Sequence, residues 1–194
     1  MDFYRKYIDK VWKDLKFELN YMTFQSKTSL IFLLIVFIGC SSEVDKKSTK
    51  PFANCQYGPP KAIFSKEMGA VTQHDFQLNQ QVAIEQVKFD GGIQLELTQS
   101  GCEKPRQEFQ FNIPTNTSAF KDEDWIAMTI DMFGFMGNMA ESLQPFLFWQ
   151  EALSKKATQI KIGAPLQLES NFFVKIDKVA GEDTGLLIIS LFQE

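Results

Sequence analysis

Alternating apolar and polar residues predict β-strands in two regions of the chain, one on each side of residues 122–155. The alternation is clearest in residues 93–98, which follow the apolar run 82–89 across Asp-Gly-Gly, a sequence typical of a hairpin turn. The phase of the earlier run slips at Glu85-Gln86, which predicts a bulge there. The other predicted strands are 109–113, 160–162, 166–168, 172–176 and 186–191.

Between these two groups of strands, the apolar residues recur with a helical period. The acidic residues Asp122, Glu123 and Asp124 favour a helix N-terminus, and the helix they begin extends to Met139 with an interruption at Gly137-Asn138. Pro145 fits the first turn of a second helix that extends to Lys155. Strands, a helical pair and strands again predict an α+β domain, with an antiparallel sheet and the helical pair inserted between its N-terminal and C-terminal strands.

A different pattern occupies residues 27–42, where Lys27 precedes the apolar residues 30–38 and then Gly39 and Cys40. The run is too short for a membrane-spanning helix, which needs about 20 apolar residues, and it fits the apolar region of a secretory signal. The segment resembles a bacterial lipoprotein signal peptide: Ile38, Gly39 and Cys40 match the last three positions of its cleavage box, and Phe37 departs from the usual Leu. The alternative is a buried strand or core helix that ends in Gly-Cys.

The resemblance implies that Cys40 becomes the lipidated first residue of the mature chain and anchors it in the membrane. In that family, Ser at the position of Ser41 is associated with export to the outer membrane. Glu43 and Asp45 also resemble the surface-export signals of Bacteroidota lipoproteins. We therefore expect an outer-membrane lipoprotein of the cell envelope that is either periplasmic or surface-exposed.

On this interpretation the chain has four parts: an N-terminal extension (1–21), a signal peptide (22–39), a flexible tether (40–51) and a single α+β domain (52–194). Met22 is a suitable start for the signal, which makes residues 1–21 an over-extended gene start. The alternative is that these residues form an amphipathic helix on a membrane surface, since their apolar residues have helical spacing.

The charge and the cysteines of the domain limit the kinds of partner, crosslink and metal site that we expect. Residues 40–194 carry 14 Lys+Arg and 20 Asp+Glu, which argues against nucleic acid as a partner. With Cys40 lipidated, Cys55 and Cys102 remain as a pair in an oxidising compartment, which predicts a disulfide; two free buried thiols are the alternative. Two Cys and one His do not complete a usual zinc cage, and no phosphate-binding or dinucleotide motif is present, so we expect no metal and no cofactor.

Candidate catalytic residues are few. His74 is the single histidine, lies beside Asp75, and lacks an accompanying nucleophile motif, which is typical of a surface residue. Helix capping explains the acidic residues 122–124. A hydrolase of the envelope that uses carboxylates, with His74 or this acidic cluster involved, remains an alternative.

The helical region is rich in aromatic residues and methionine, with two Trp, four Phe and four Met between residues 125 and 149. Such a pair of helices either packs on the sheet as core or forms a pocket or groove for an acyl chain or a hydrophobic peptide. Our hypothesis is a binding or interaction domain for an apolar ligand or an envelope protein, with the candidate surface Trp125, Phe135, Met136, Phe148 and Trp149. A structural or assembly lipoprotein without a small ligand is a further alternative.

Overall fold

The computed structural model describes residues 55–194, which form a seven-stranded antiparallel sheet and two helices. The predicted α+β class, with a helical pair between two groups of strands, is confirmed. The N-terminal extension, the signal peptide, Cys40 and the tether lie outside the described residues. The elements are β1 (Val71–Asn79), β2 (Val82–Phe89), β3 (Gln94–Ser100), β4 (Arg106–Ile113), α1 (Asp122–Gly137), α2 (Pro145–Lys156), β5 (Leu166–Glu169), β6 (Phe172–Val179) and β7 (Gly185–Gln193).

The strand order is β1-β2-β3-β4-β7-β6-β5, so the sheet consists of two meanders that meet where β4 pairs with β7. The predicted hairpin of β2 and β3 is present, with a short 3-10 turn at Asp90–Gly92 between the two strands. Because both helices lie in the connection from β4 to β5, the second meander returns along the free edge of β4. All strand pairs are antiparallel.

One face of the sheet is apolar and is covered by the two helices; we call it the helix-covered face. Phe109 on β4 lies opposite Leu97 on β3 and Ile189 on β7, and all three side chains have 0% exposure. The Phe133 ring of α1 and the Phe146 ring of α2 contact Phe109 edge-on, with centroids 5.5 and 5.8 Å away. Burial of each such side chain stabilises the fold by roughly 1.5–3 kcal/mol, which explains why every second residue of the central strands is apolar.

Two of the acidic residues 122–124 form hydrogen bonds or ion pairs that stabilise the start of α1. The Lys121 amide donates a hydrogen bond to Asp124 Oδ2 at 2.9 Å, which satisfies a backbone donor at the start of the helix. Asp122 forms an ion pair with Lys178 of β6 at 2.6 Å. Capping and this ion pair account for Asp122 and Asp124, as the sequence predicts for a helix N-terminus.

The two helices lie close together at Gly137. A Cβ atom at this position would lie 2.7 Å from Leu147 Cγ and 2.9 Å from the Leu147 backbone nitrogen. We expect Gly137→Ala to lower the free energy of unfolding by about 1–3 kcal/mol, because the helices must separate to admit the methyl group. Urea denaturation measures the change. Gly69→Ala is the matched control, since a Cβ there meets nothing within 4 Å; equal stabilities of the two variants would contradict the close approach.

The segment from Cys55 to Phe64 is attached to the sheet before β1 begins. As predicted, Cys55 forms a disulfide with Cys102 in the loop between β3 and β4, with their Cα atoms 4.6 Å apart. The Phe64 ring packs against Phe89 of β2 and Phe146 of α2, with centroids 5.8 and 6.4 Å away. The disulfide and this ring therefore secure the N-terminal segment at two points.

Two details of the strand prediction are wrong. Residues 160–162 form no strand but belong to a loop that follows the 3-10 turn Ala157–Gln159. Ile160 is apolar because its side chain is buried in the core. The bulge predicted at Glu85-Gln86 is absent, since Glu85 pairs with Leu97 in an unbroken register and points inward. Strand β1 is not predicted at all, because Gln73, Asp75 and Gln77 face solvent on an edge strand.

Within residues 55–194, no helix has both the length and the hydropathy that a membrane-spanning helix requires.

Candidate functional site

A buried carboxylate lies at the centre of the N-terminal meander. Glu85 on β2 has 0% exposure and accepts hydrogen bonds from the amides of Ile63 and Phe64, at 2.9 and 2.8 Å. His74 Nε2, on the neighbouring strand β1, lies 2.8 Å from Glu85 Oε1. A buried carboxylate persists in a protein when charge-assisted hydrogen bonds replace its water, and here two backbone donors and one imidazole do so.

His74 is therefore not the surface residue that the sequence predicts. Its side chain is 15% exposed and lies on the helix-covered face, bonded to Glu85. The oxygens of Glu85 are occupied by the backbone of residues 63 and 64, so the arrangement fixes the N-terminal segment on the sheet. The apparent change of phase at Glu85-Gln86 is the sequence signal of this carboxylate, which takes an inward position where an apolar residue is expected.

The candidate apolar surface is divided by the structure. Trp125 and Met136 have 0% exposure and belong to the core, because α1 encloses them against the sheet. Phe135 is half-buried and its ring contacts Phe89 at 5.3 Å. On α2, by contrast, Phe148 is 51% exposed and Trp149 is half-buried. The five residues thus form no common surface: Phe148 is strongly exposed, Phe135 and Trp149 are half-buried, and the other two belong to the core.

The rings between the helices and the sheet also fill the space that an acyl chain would need. Phe109 and Phe133 lie 5.5 Å apart, and Phe133 and Phe146 lie 5.8 Å apart, which are the separations of directly packed aromatic pairs. The load of aromatic residues and methionine therefore serves as core in this layer.

The opposite, open face of the sheet carries two parallel rows of side chains, which are polar on β1 to β4 and apolar on β7. In each row, residues paired across β1, β2, β3, β4 and β7 lie side by side, with neighbouring strands about 4.8 Å apart. The first row is Gln73, Lys88, Gln94, Asn112 and Leu186, and the second row is Asp75, Gln86, Glu96, Gln110 and Ile188.

The two rows line a cleft of about 440 Å³, which we call the polar cleft. All of the first row and four members of the second line it, together with Lys66, His74, Val87 and Leu95. This volume lies within the range of about 300–1,000 Å³ that is usual for small-molecule sites. The lining is more polar than is usual for such a site, because amide and charged side chains outnumber apolar ones.

Opposite charges balance in the polar cleft. Lys66 and Lys88 accompany Asp75 and Glu96, and the other polar side chains of the two rows are neutral amides. Hydrogen bonds orient several of these groups: Gln86 donates to Glu96 at 3.1 Å, and Gln77, beside the cleft, donates to Asp75 at 2.9 Å. The cleft therefore offers donors and acceptors in fixed positions and no excess of either charge.

Sequence reasoning misses the polar cleft, although its signal is present in the strand pattern. In residues 93–98 the outward positions are Gln94, Glu96 and Thr98, which the alternation assigns simply to solvent. Only the register across five strands brings these side chains beside those of β1, β2 and β4.

In the described part of the chain, no three His, Cys, Asp or Glu side chains are grouped closely enough to hold a metal ion. Comparisons of the whole chain with protein-family models, curated proteins and solved structures find no match.

Proposed function

We propose that this chain is a lipid-anchored binding protein of the bacterial cell envelope that takes an uncharged, hydroxyl-rich ligand such as an oligosaccharide in the polar cleft. The anchor is Cys40, on the resemblance of residues 27–42 to lipoprotein signals. The observation that carries the ligand class is the lining of the cleft, where amides and carboxylates outnumber apolar side chains.

The chemistry of the lining favours this ligand class over an apolar one. The side-chain nitrogens of Gln86 and Gln110 donate to Glu96 and Glu108. An apolar ligand would displace water from the amide oxygens of the same two side chains and offer no donor in return, at a cost of about 1–3 kcal/mol for each group. An anionic ligand would be repelled by Asp75 and Glu96, and a cationic ligand would be repelled by Lys66 and Lys88. Since the two signs are present in equal number, the cleft favours neither. A hydroxyl group both donates and accepts, so a carbohydrate satisfies amides and carboxylates together.

The second candidate is a hydrolase of the envelope that uses two carboxylates of the same cleft. Asp75 and Glu96 lie on opposite sides of Gln86 in the second row, separated by two strand spacings of about 4.8 Å each. Inverting glycosidases hold their carboxyl groups roughly 6.5–9.5 Å apart, and the retaining enzymes hold them closer. Two strand spacings amount to about 9.6 Å, which is just beyond the inverting range and far beyond the retaining one, so the spacing favours binding without hydrolysis.

Calorimetry on the mature lipidated protein in detergent tests the ligand class, with neutral oligosaccharides of glucose, xylose and N-acetylglucosamine as probes. We expect one of these probes to bind, and the double variant Gln86→Ala, Gln110→Ala to weaken binding about tenfold or more, because each lost hydrogen bond contributes about 0.5–1.5 kcal/mol. Gln159→Ala is the matched control, since this exposed amide lies in the turn after α2.

Absence of binding to every neutral oligosaccharide, or binding that the double variant leaves unchanged, would contradict the proposal. The hydrolase is separated in the same experiment by chromatography of the sugar after incubation. Release of shorter sugars that stops in Asp75→Asn or Glu96→Gln would favour the second candidate, whereas an intact sugar favours binding.

A further inference from the structure

The N-terminal segment enters the domain at one particular end of the sheet. The disulfide fixes Cys55 to Cys102 in the loop between β3 and β4. The strand register places this loop beside the end of β7 and the start of β6, through the pairs Ser100–Arg106, Arg106–Phe192 and Phe192–Phe173. We call this the entry end of the sheet; it comprises the start of β2, the β3–β4 loop, the β5–β6 turn and the C-terminus.

Large exposed apolar side chains are concentrated at the entry end. Among residues 55–194, five large hydrophobic side chains are strongly exposed, and four of them lie here: Tyr57 (52%), Val82 (38%), Ile84 (37%) and Phe148 (51%). The fifth, Val179 (59%), lies at the opposite end of β6.

Contacts between side chains place the aromatic members at this end. The Tyr57 hydroxyl donates to Gln193 Oε1 near the C-terminus, at 3.5 Å. The Phe148 ring packs on Trp149, with centroids 5.2 Å apart, and Trp149 packs on Phe172, the first residue of β6, with centroids 5.4 Å apart. The two α2 residues of the candidate apolar surface, Phe148 and Trp149, thus belong to the entry end.

Charges of both signs lie among these apolar residues. Lys104 and Arg106 accompany Glu103 on the β3–β4 side, and Glu169 ends β5. Anionic headgroups would therefore find no net attraction here, and any contact with a surface must depend on the aromatic and apolar side chains. Trp and Tyr, which combine an apolar body with a polar group, are the residues that favour the headgroup level of a bilayer.

We propose that the entry end rests on the bilayer surface, with Tyr57, Phe148 and Trp149 at the level of the lipid headgroups. This inference depends on the proposed lipid anchor at Cys40. Residues 41–54 separate that anchor from Cys55, and a chain of this length reaches at most about 50 Å when fully extended. The opposite end of the nine-residue strand β7 lies about 30 Å farther from the attachment point.

The tether makes a weak contact sufficient. A domain held beside the bilayer meets it at a high effective concentration, so a few partly inserted aromatic side chains can set its orientation without binding membranes by themselves. The same orientation turns the polar cleft outward. The first row of the cleft runs from Gln73, near the start of β1, to Leu186, the second residue of β7. Both residues lie near the end of the sheet that is opposite the entry end.

Fluorescence of Trp149 tests this orientation in the mature lipidated protein, which begins at Cys40 and therefore lacks Trp12, reconstituted in phosphatidylcholine vesicles with or without brominated acyl chains. We expect brominated lipid to lower the Trp149 emission about twofold, since an aromatic ring at headgroup level lies beside the acyl chains. Trp149→Phe should abolish the quenching, because Trp125 has 0% exposure. Phe148→Ser should reduce it, and the matched control Val179→Ser should leave it unchanged.

Flotation of the same vesicles separates the two proposals. Protein that floats with the vesicles while its Trp149 emission is unaffected by bromine would overturn the docking and leave the anchor standing. Equal quenching in Phe148→Ser and the parent protein, or quenching that persists in Trp149→Phe, would likewise overturn it. Protein that does not float would overturn the anchor, and with it the docking.

Discussion

Replacing Glu85 with alanine is expected to lower the free energy of unfolding by about 3–5 kcal/mol, several times the effect of an ordinary surface substitution. The carboxylate accepts from the amides of Ile63 and Phe64 and pairs with His74, with all three nitrogen–oxygen distances at 2.8–2.9 Å. Its removal leaves these donors at a buried position without an acceptor, and each unsatisfied donor costs about 1–3 kcal/mol.

Urea denaturation measures the loss, and amide hydrogen exchange locates it. Exchange at Ile63 and Phe64 should accelerate, because the hydrogen bonds of these amides end at Glu85. Glu96→Ala is the matched control: it removes the same side chain from the open face of the adjacent strand, where the expected change is within about 0.5 kcal/mol. A loss below about 1 kcal/mol in Glu85→Ala would contradict the role assigned to this carboxylate.

Removal of the disulfide gives the second large effect. The bridge joins Cys55 to Cys102 across a sequence separation of 47 residues, and the chain-entropy model assigns a loop of that size about 4 kcal/mol. The double variant Cys55→Ser, Cys102→Ser should therefore unfold at a much lower urea concentration than the oxidised protein. The parent protein in excess dithiothreitol should match the double variant, which serves as the control for the two serines.

A difference of less than about 1 kcal/mol between the oxidised and reduced parent proteins would contradict this expectation. The disulfide and Glu85 both secure the segment that contains Ile63 and Phe64. Their effects should therefore not be additive: once the disulfide is absent, part of the segment is already released, and Glu85→Ala should cost less.

Local patterns are sufficient to predict most of the fold. The strict alternation after Asp90 identifies β3, and Pro145 marks the first position of α2 as the structure has it. Acidic residues before Trp125 identify the start of α1. These features depend on nearest neighbours along the chain, so a single sequence contains them.

The missed elements depend on contacts between distant residues. Strand β1 has polar residues on its outward side and also has His74 on its inward side, so its sequence has the pattern of a loop. The inward position of His74 is explained only by its contact with Glu85 on the neighbouring strand. In the sequence, the inward Glu85 is mistaken for a change of phase, since a carboxylate is not expected at a buried position. Its burial depends on donors from residues 63 and 64, which no local pattern reveals. The polar cleft likewise exists only through the register of five strands.

The candidate surface on the helices is divided for a similar reason. Helical spacing shows that Trp125, Met136 and Phe148 belong to apolar stripes, and it does not show which stripe meets the sheet. In the structure α1 directs its stripe to the core, whereas α2 leaves Phe148 half exposed at the entry end.

Intact mass spectrometry of the chain recovered from bacterial membranes tests whether the protein is a lipoprotein anchored at Cys40, on which its location and its docking both depend. We expect a mature chain that begins at Cys40 and carries the mass of a diacylglyceryl group and a further acyl chain, and a Cys40→Ser variant that keeps residues 22–39 and gains no lipid. A chain that begins upstream of an unmodified Cys40 in the parent protein would contradict the anchor.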